Sequence, residues 1–522
     1  MNTDSLPTFV NEAYRDFSLP GHKAAMEAAL AQVRSELGKV YDLLIGGKPE
    51  KGGPDKLLSF NPSLPSELIG THQKANPEQA ERAVEEAFAY FPTWSAVPPA
   101  ERAAKLFRAA EILKRRKSEF NAWMVFEAGK NWSEAEADTA EAIDFCDYYA
   151  RQMLRLAKPD PLVQMPGEDG IMLYLALGVG VIIPPWNFPL AILAGMTVAA
   201  LVTGNTVVIK PSSETPTIAA KFMEVLLEAG FPPESFQFLP GSGAEVGDLI
   251  VSHPKTRFIS FTGSKEVGLR INELAAKTQP GQKWIKRVVA EMGGKDAIIV
   301  DSDAHDLDAA AAGVVAAAFG FQGQKCSACS RVIVDEKIYD TFIAKLKPLT
   351  EALTQGAADN PAHFMGPVIG AKAQKTILNY IEIGKQEGRL ITGGGKLPGE
   401  GYFIQPTIIA DIQASHRLFQ EEIFGPVLSV TKAHDFDHAL QLANDSEYGL
   451  TGAAYTTNPE KIERARRDFF VCNLYINRKC TGAMVGANPF GGFNMSGTDS
   501  KAGGPDYLLQ FLQAKSISQK RL

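Results

Sequence analysis

The order of apolar and polar positions divides the chain into two kinds of segment. Residues 21–38, 77–117 and 134–156 repeat apolar side chains at helical spacing among Glu, Arg and Lys, which predicts helices packed on a surface. Residues 170–209 contain no charged side chain, which predicts elements buried on both faces. We therefore expect the first segments to be peripheral and the uncharged block to lie in a core.

Short apolar runs alternate with helical patterns from residue 179 onward. A first set predicts strands at residues 179–183, 206–209, 236–239 and 257–261, and helices at residues 190–201, 217–229, 244–251 and 265–277. A second set predicts strands at residues 297–300, 332–334, near 407, 427–430, 452–455 and 473–476, and helices at residues 307–319, 337–355, 436–444 and 459–468. This alternation is typical of parallel sheets covered by helices, and the first set suits a Rossmann-type dinucleotide-binding domain. The sequence therefore predicts an α/β fold of two domains joined near residues 288–294.

The uncharged block is long enough to resemble a membrane span. Pro184, Pro185 and Pro189 interrupt it, however, and Asn187 lies between them. Such residues break a helix, so the pattern favours strand, loop, helix and strand over a membrane span.

Composition narrows the class of protein further. A chain of 522 residues is expected to form two or more domains. Its 53 basic and 60 acidic residues give a net charge of −7, which provides no electrostatic reason to bind nucleic acid or an anionic membrane. Five scattered cysteines argue against a disulfide framework, and residues 1–20 lack the apolar stretch of a signal peptide. We expect a cytoplasmic protein with a small-molecule partner.

Cys326 is the candidate nucleophile. It follows a glycine-punctuated loop, Gly-Phe-Gln-Gly-Gln-Lys-Cys-Ser-Ala-Cys from residue 320, whose lysine and glutamines argue against a core position. A thiol attacks as its thiolate and needs a base, a cation or a backbone dipole nearby. The alternative, a small buried side chain, stays open for this residue alone. Cys329 forms a Cys-x-x-Cys pair with it, but a metal site needs a second pair and none exists, so no metal is predicted.

Two polar residues could assist such a thiol. Glu291 lies in a glycine-rich turn between the predicted domains, where a carboxylate either caps the chain or serves as a general base with a raised pKa. Asn187 is fixed between two prolines, so that its amide suits an oxyanion hole with the Cys326 backbone N–H. A simple turn-forming asparagine is the alternative.

Three features could hold phosphate or ribose. The run from Gly241 through Gly243 to Gly247 misses the dinucleotide fingerprint by one residue. Gly263 and Ser264 follow a predicted strand and open a helix, where free N–H groups bind a pyrophosphate. Lys210 ends a predicted strand at the edge where ligands of such sheets bind, although an exposed lysine remains possible there.

These features occur together in a known family. The chain resembles the aldehyde dehydrogenases over nearly its whole length, in family order, through the motifs Pro-Trp-Asn-Phe-Pro from 185, Lys-Pro from 210, Phe-Thr-Gly-Ser from 261, Glu-Met-Gly-Gly-Lys from 291, Gly-Gln-Lys-Cys from 323 and Glu-Glu-Ile-Phe-Gly-Pro-Val from 421. The resemblance implies an NAD(P)-binding domain (residues 1–156 and 176–289), a catalytic thiol domain (290–504) and a small oligomerisation flap (157–175 and 505–522). A homo-oligomer, a dimer or an assembly of dimers, is therefore expected.

The resemblance also implies a role for each motif residue. Cys326 would attack an aldehyde, Asn187 would hold the oxyanion and Glu291 would activate the water that hydrolyses the thioester. The cofactor would be bound by Ile183, Pro185, Trp186, Lys210, Ser213, Gly243, Gly263, Ser264, Met292, Glu422 and Phe424.

Within the family, the sequence is similar to the members that oxidise L-glutamate γ-semialdehyde to glutamate in proline catabolism. The similarity includes Pro-Phe-Gly-Gly from 489 and Gly-Gly-Pro-Asp-Tyr from 503, and no second, proline-oxidising domain is apparent. The substrate residues implied are Glu141, Phe188, Ser327, Gly482, Ala483 and Phe490. Rival hypotheses are the same chemistry on another aldehyde and a non-catalytic protein of the same fold.

One position departs from the family pattern. Many members have a glutamate three residues after the lysine, where it accepts the adenosine ribose hydroxyls, but here this residue is Ser213. A neutral serine removes a charge that would repel a 2′-phosphate. We therefore predict NAD as cofactor, with NADP tolerated.

Overall fold

Two seven-stranded sheets form the centre of the computed structural model, which describes residues 6–159 and 162–522. The first sheet has five parallel strands and an antiparallel hairpin at one edge. Its order is Arg287–Glu291, Thr256–Thr262, Val179–Ile183, Thr206–Ile209, Phe236–Phe238, Leu43–Ile45 and Lys48–Glu50. The strands predicted at residues 179–183 and 206–209 are confirmed with their bounds.

Helices cover this sheet, as the alternating pattern predicted. They are Pro77–Ser95, Ala191–Val202, Pro216–Glu228, Asp248–Ser252 and Lys265–Ala276. The helix predicted at residues 244–251 is instead a π-turn, Gly243–Gly247, followed by the short helix at Asp248. Among the described residues, no helix has both the length and the apolar character needed to cross a bilayer.

The second sheet is built in the same way around the cysteine loop. Its order is Arg389–Thr392, Thr407–Ala410, Val427–Ala433, Cys329–Asp335, Asp296–Val300, Thr451–Tyr455 and Asn473–Ile476, and only the first pairing is antiparallel. Its helices are Leu307–Phe319, Tyr339–Glu351, Ala371–Glu387, Arg417–Gln420, Phe436–Asn444 and Pro459–Asp468.

The N-terminal part packs mainly against the first sheet. It contributes the helices Pro20–Glu36, Pro99–Arg115, Lys117–Ala128 and Trp132–Leu156 and a small sheet of Lys39–Tyr41, Leu64–Gln73 and Lys56–Asn61. The helix at Lys117 was not predicted. Every residue from Phe120 to Ala128 is buried, so this helix has no polar face and no amphipathic period.

A two-stranded ribbon joins distant parts of the chain. Glu168–Ala176 pairs antiparallel with Leu512–Lys520 along its full length, and all of the ribbon except Ala176 lies in the two segments predicted to form the flap, 157–175 and 505–522. A shorter pair joins Tyr448–Gly449 to Phe493–Asn494. The domain boundary predicted after residue 289 falls inside the strand Arg287–Glu291. One continuous strand of the first sheet therefore leads into the segment predicted to contain the catalytic thiol.

Candidate active site

The backbone places Cys326 in a cleft between the two sheets. After the helix Leu307–Phe319, Phe321 and Gln322 adopt left-handed conformations (φ 48° and 57°). Gly323 follows at φ 68°, and a Cβ there would lie 2.3 Å from the carbonyl oxygen of Gly425. Such backbone strain in a loop between packed elements is typical of functional sites.

The surroundings of the Cys326 thiol favour its protonated form. It is free and partly exposed, and burial together with the carboxylates of Asp296, Glu291 and Glu422 raises its pKa. Desolvation and negative neighbours both disfavour a thiolate. The thiol therefore needs a proton acceptor before it can attack.

Asn187 follows a strand of the first sheet, Val179–Ile183, and approaches the cysteine loop from there. Its side chain is only 4% exposed, and Nδ2 donates to the carbonyl of Gln324 at 3.0 Å. An amide carries two N–H groups, so one hydrogen of this side chain remains for a ligand. The geometry brings an amide donor to the backbone two residues before Cys326.

Glu291 ends the strand Arg287–Glu291, and the loop that contains Ser500 holds its carboxylate. Oε1 accepts from the hydroxyl and, at 3.4 Å, from the N–H of Ser500; Oε2 accepts from the N–H of Gly492 at 2.9 Å. Burial raises the pKa of Glu291 to about 7, and these hydrogen bonds oppose that rise. A carboxylate with a pKa near neutrality is suited to general base catalysis.

A cavity of about 950 Å³ runs along the carboxyl ends of the first sheet. All eleven predicted cofactor residues line it: Ile183, Pro185, Trp186, Lys210, Ser213, Gly243, Gly263, Ser264, Met292, Glu422 and Phe424. Asn187 and Cys326 line it as well. The cavity therefore leads from the strand ends to the candidate nucleophile.

The chemistry of this cavity fits a nucleotide. Lys210 is buried, and burial lowers its pKa to about 8; its Nζ donates to the carbonyl of Pro211 at 3.4 Å and forms no ion pair within the described ranges. Ser264 caps the helix Lys265–Ala276, whose N-terminus faces the cavity. A buried cation without a counter-ion and a helix N-terminus both favour an anionic ligand.

The end of the cavity near Cys326 is shaped by the loop of Glu422. Its Oε1 accepts from the N–H of Gly294 at 3.0 Å, and a Cβ on Gly293 would lie 2.1 Å from Oε2. The ring of Phe424, at φ 56°, meets Trp186 edge-on at 5.5 Å. Burial raises the pKa of Glu422.

A second, narrower cavity of about 180 Å³ also reaches Cys326. All six predicted substrate residues line it: Glu141, Phe188, Ser327, Gly482, Ala483 and Phe490. Glu291 and Cys326 line it too, and Cys326 therefore lies where the two cavities meet. Burial and the neighbouring Asp138 raise the pKa of Glu141 to about 8.

Several residues of this site were not predicted from the sequence. Glu134 and Lys325 form an ion pair of 2.7 Å in the cavity wall, and Tyr14 lines the cavity from the N-terminal segment. The position of Lys325 directly before Cys326 could have identified it as a site residue. Tyr14 could not be identified in this way, because its segment has no regular hydrophobic period. Ser500, which holds Glu291, had no signal beyond its glycine-rich surroundings.

Cys329 does not share the site of Cys326. It is buried at the start of its strand, where Sγ donates to the carbonyl of Arg331 at 3.3 Å. All five cysteines are free thiols. Packing therefore accounts for Cys329 without a redox role.

The chain belongs to the aldehyde dehydrogenase family, whose model matches residues 50–517, and the predicted family fold is confirmed. A 1-pyrroline-5-carboxylate dehydrogenase of Geobacillus kaustophilus is 58% identical over 98% of each chain. The enzyme of that name from Bacillus subtilis is 55% identical over 98% of this chain and 99% of its own. The structure of a Thermus 1-pyrroline-5-carboxylate dehydrogenase with bound NAD superposes with a TM-score of 0.97 at 50% identity, covering 99% of this chain and 100% of that one.

Proposed function

We propose that this chain oxidises L-glutamate γ-semialdehyde, the open form of 1-pyrroline-5-carboxylate, to L-glutamate with NAD. The observation that carries the proposal is the position of Cys326 where the long cavity, lined by the predicted cofactor residues, meets the narrow one, which is lined by carboxyl groups including those of Glu141 and Glu291. The relatives at 55–58% identity support the same substrate.

The first chemical step is addition of the thiol to the aldehyde. The Cys326 sulfur bonds to the carbonyl carbon while the thiol proton passes to a water molecule and from there to solvent, so that Glu291 stays available as a base for the later hydrolysis. The carbonyl oxygen becomes an oxyanion. The free N–H of Asn187 and the backbone N–H of Cys326 stabilise this oxyanion by donating hydrogen bonds to it.

NAD bound in the long cavity supplies the acceptor for the hydride that leaves the former aldehyde carbon. Lys210, Gly263 and Ser264 would hold its phosphates and adenosine ribose, and Glu422 and Phe424 its nicotinamide end. The loss of hydride leaves a thioester on Cys326. Glu291 then takes a proton from water, the resulting hydroxide attacks the acyl carbon, and the thiolate leaves and is reprotonated.

The narrow cavity suits an aldehyde with two charged groups at its far end. Ser327 and the N–H groups of Gly482 and Ala483 would hold the α-carboxylate, and Glu141 the ammonium. Phe188 and Phe490 would flank the methylene chain. An uncharged alkanal leaves these polar groups without partners, so it should be a poor substrate.

The test is a substrate and coenzyme panel with two variants. Glutamate semialdehyde should exceed succinate semialdehyde and simple alkanals in kcat/KM. Cys326→Ala should abolish aldehyde-dependent NADH formation, and Glu291→Ala should retain a first-turnover burst but slow steady turnover. A higher kcat/KM for another aldehyde would identify that aldehyde as the substrate instead. Full activity of Cys326→Ala would refute the mechanism, and no NADH formation with any aldehyde would favour the non-catalytic alternative.

Three further properties belong to the same proposal. NADP is tolerated because the neutral Ser213 stands where a glutamate would repel its 2′-phosphate. A homo-oligomer forms through the ribbon of Glu168–Ala176 and Leu512–Lys520, where Ile171 and Leu175 are each 41% exposed, and light scattering would measure its size.

The five free thiols favour the cytoplasm. The division into NAD(P)-binding (1–156, 176–289), catalytic (290–504) and flap segments stays a prediction.

A further inference from the structure

The N-terminal arm, residues 6–19, lies across the helix Trp132–Leu156 and outside the part of the chain that matches the family model, residues 50–517. Asp144 of that helix fixes the arm at two points. Its carboxylate accepts from Asn11 Nδ2 at 2.8 Å and from the N–H of Glu12 at 2.7 Å. The arm therefore has a defined position although it contains no helix or strand.

Other contacts extend this attachment along the arm. The ring of Phe9 meets Tyr148 edge-on at 5.1 Å, and Phe17 meets Trp132 at 5.3 Å. Buried Lys117 donates to the carbonyl of Ala13 at 2.8 Å. These two aromatic contacts and the hydrogen bond from a buried cation oppose the entropic cost of ordering the arm.

The arm also contacts the loop proposed to hold the α-carboxylate. Asn11 Nδ2 donates to the carbonyl of Val485 at 2.9 Å, and the Tyr14 hydroxyl donates to Met484 Sδ at 3.4 Å. Tyr14 lines the narrow cavity together with Gly482 and Ala483, and it is 55% exposed. Tyr14 therefore lies at the solvent-exposed mouth of the cavity.

We propose that Tyr14 is a substrate-specificity residue, whose hydroxyl donates to the α-carboxylate of the amino-acid aldehyde while the arm closes the outer end of the cavity. This inference rests on the proposed function. A thioether is a weak acceptor, so a carboxylate bound at Gly482 and Ala483 would take the hydroxyl hydrogen from Met484.

The charges that face Tyr14 agree with a donor role. Glu141, Asp144, Glu134 and Glu136 surround the phenol, and together with burial they raise its pKa to about 12. The hydroxyl therefore keeps its hydrogen throughout the working range of the enzyme. Lys325 and Lys117 pair with Glu134 and Glu136, respectively, which limits the repulsion that these carboxylates exert on a substrate carboxylate.

The experiment compares two aldehydes in four full-length variants. Glutamate semialdehyde is compared with pentanal, which has the same carbon chain but neither charged group. Tyr14→Phe removes only the hydroxyl, Tyr14→Ala opens the mouth, and Asn11→Ala loosens the arm without entering the cavity. Val10→Ala is the matched control, because Val10 lies on the same arm and is 79% exposed.

Tyr14→Phe should raise KM for the semialdehyde about tenfold, the effect of one hydrogen bond to a charged group, and leave kcat unchanged. Its kcat/KM for pentanal should not change. Tyr14→Ala should raise the semialdehyde KM further, Asn11→Ala should change it in the same direction, and Val10→Ala should have no effect.

Two results would overturn the inference. One is an unchanged semialdehyde KM in Tyr14→Phe; the other is an equal loss on both aldehydes, since a merely structural role would produce it. A failure of the proposed function would give a different result. The unmodified enzyme would then turn over pentanal but not the semialdehyde, and this result would overturn both the proposed function and the role of Tyr14.

Discussion

The hydroxyl of Ser500 offers a direct test of what sets the pKa of Glu291. Ser500 is buried, and its side chain donates to Oε1 of Glu291, where it stabilises the ionised carboxylate. Burial raises the pKa of Glu291 to about 7 against this hydrogen bond. Ser500→Ala removes the donor and should therefore raise the pKa further.

The size of the effect follows from one charged hydrogen bond. A hydrogen bond to a charged group contributes about 1.5 kcal/mol or more. We use this lower value because the carboxylate of Glu291 still accepts from two backbone N–H groups in the variant. This corresponds to about one pKa unit. A base with a pKa of about 7 is half ionised at pH 7, and after a shift of one unit about a tenth remains ionised, so steady turnover should fall about fivefold.

The assay is the pH profile of steady-state NADH formation, measured together with the first-turnover burst. The base form exists above the pKa, so the activity that Ser500→Ala loses near neutrality should return as the pH rises by two units. Ser500→Thr retains a hydroxyl and should keep the original profile. A loss that is the same at every pH would refute the reasoning, because it would indicate a structural defect rather than a shifted base.

Three other side chains give further predictions. Burial raises the pKa of Glu141 to about 8, so KM for glutamate semialdehyde should fall as the pH rises towards that value and the ammonium gains a charged partner; Glu141→Gln should remove this dependence in initial-rate profiles. Glu214 lines the cofactor cavity beside Ser213, so Glu214→Gln should raise kcat/KM for NADP about fivefold and leave that for NAD unchanged. Buried Glu127 accepts from Ser59 and from the N–H groups of Thr217 and Ile218, so Glu127→Ala should lower the free energy of unfolding by about 3 kcal/mol in denaturant titrations, and Glu127→Gln by less.

Local pattern was sufficient to predict the buried parallel strands but not the fully buried helix or the small sheets. Val179–Ile183 and Thr206–Ile209 contain no charged side chain, and a glycine or proline lies within two residues of each end, so their limits were predictable. The helix Lys117–Ala128 lacks a polar face, and the pairing of Glu168–Ala176 with Leu512–Lys520 joins segments far apart in sequence. Periodicity contains no information about either.

The site was predictable where the residues of a motif determine the local backbone conformation. Gly323 must be glycine because Gly425 approaches it, and Gly293 because Glu422 does, and both contacts occur within motifs that the sequence displays. The tuning of the site was not predictable in the same way. The pKa of Glu291 depends on Ser500 and Gly492, which approach it only in the folded chain.

The unpredicted residues also share a location. Tyr14 and Ser500 both lie in irregular segments, and each reaches the site through contacts with a regular element: Tyr14 beside the helix Trp132–Leu156, and Ser500 beside the strand Arg287–Glu291. Cys326, Asn187 and Glu291 line the cavities between the two sheets instead. If Tyr14 recognises the substrate as inferred, the choice of aldehyde depends partly on an arm outside the family match, and relatives with another arm could differ in substrate while retaining the same thiol, amide and carboxylate.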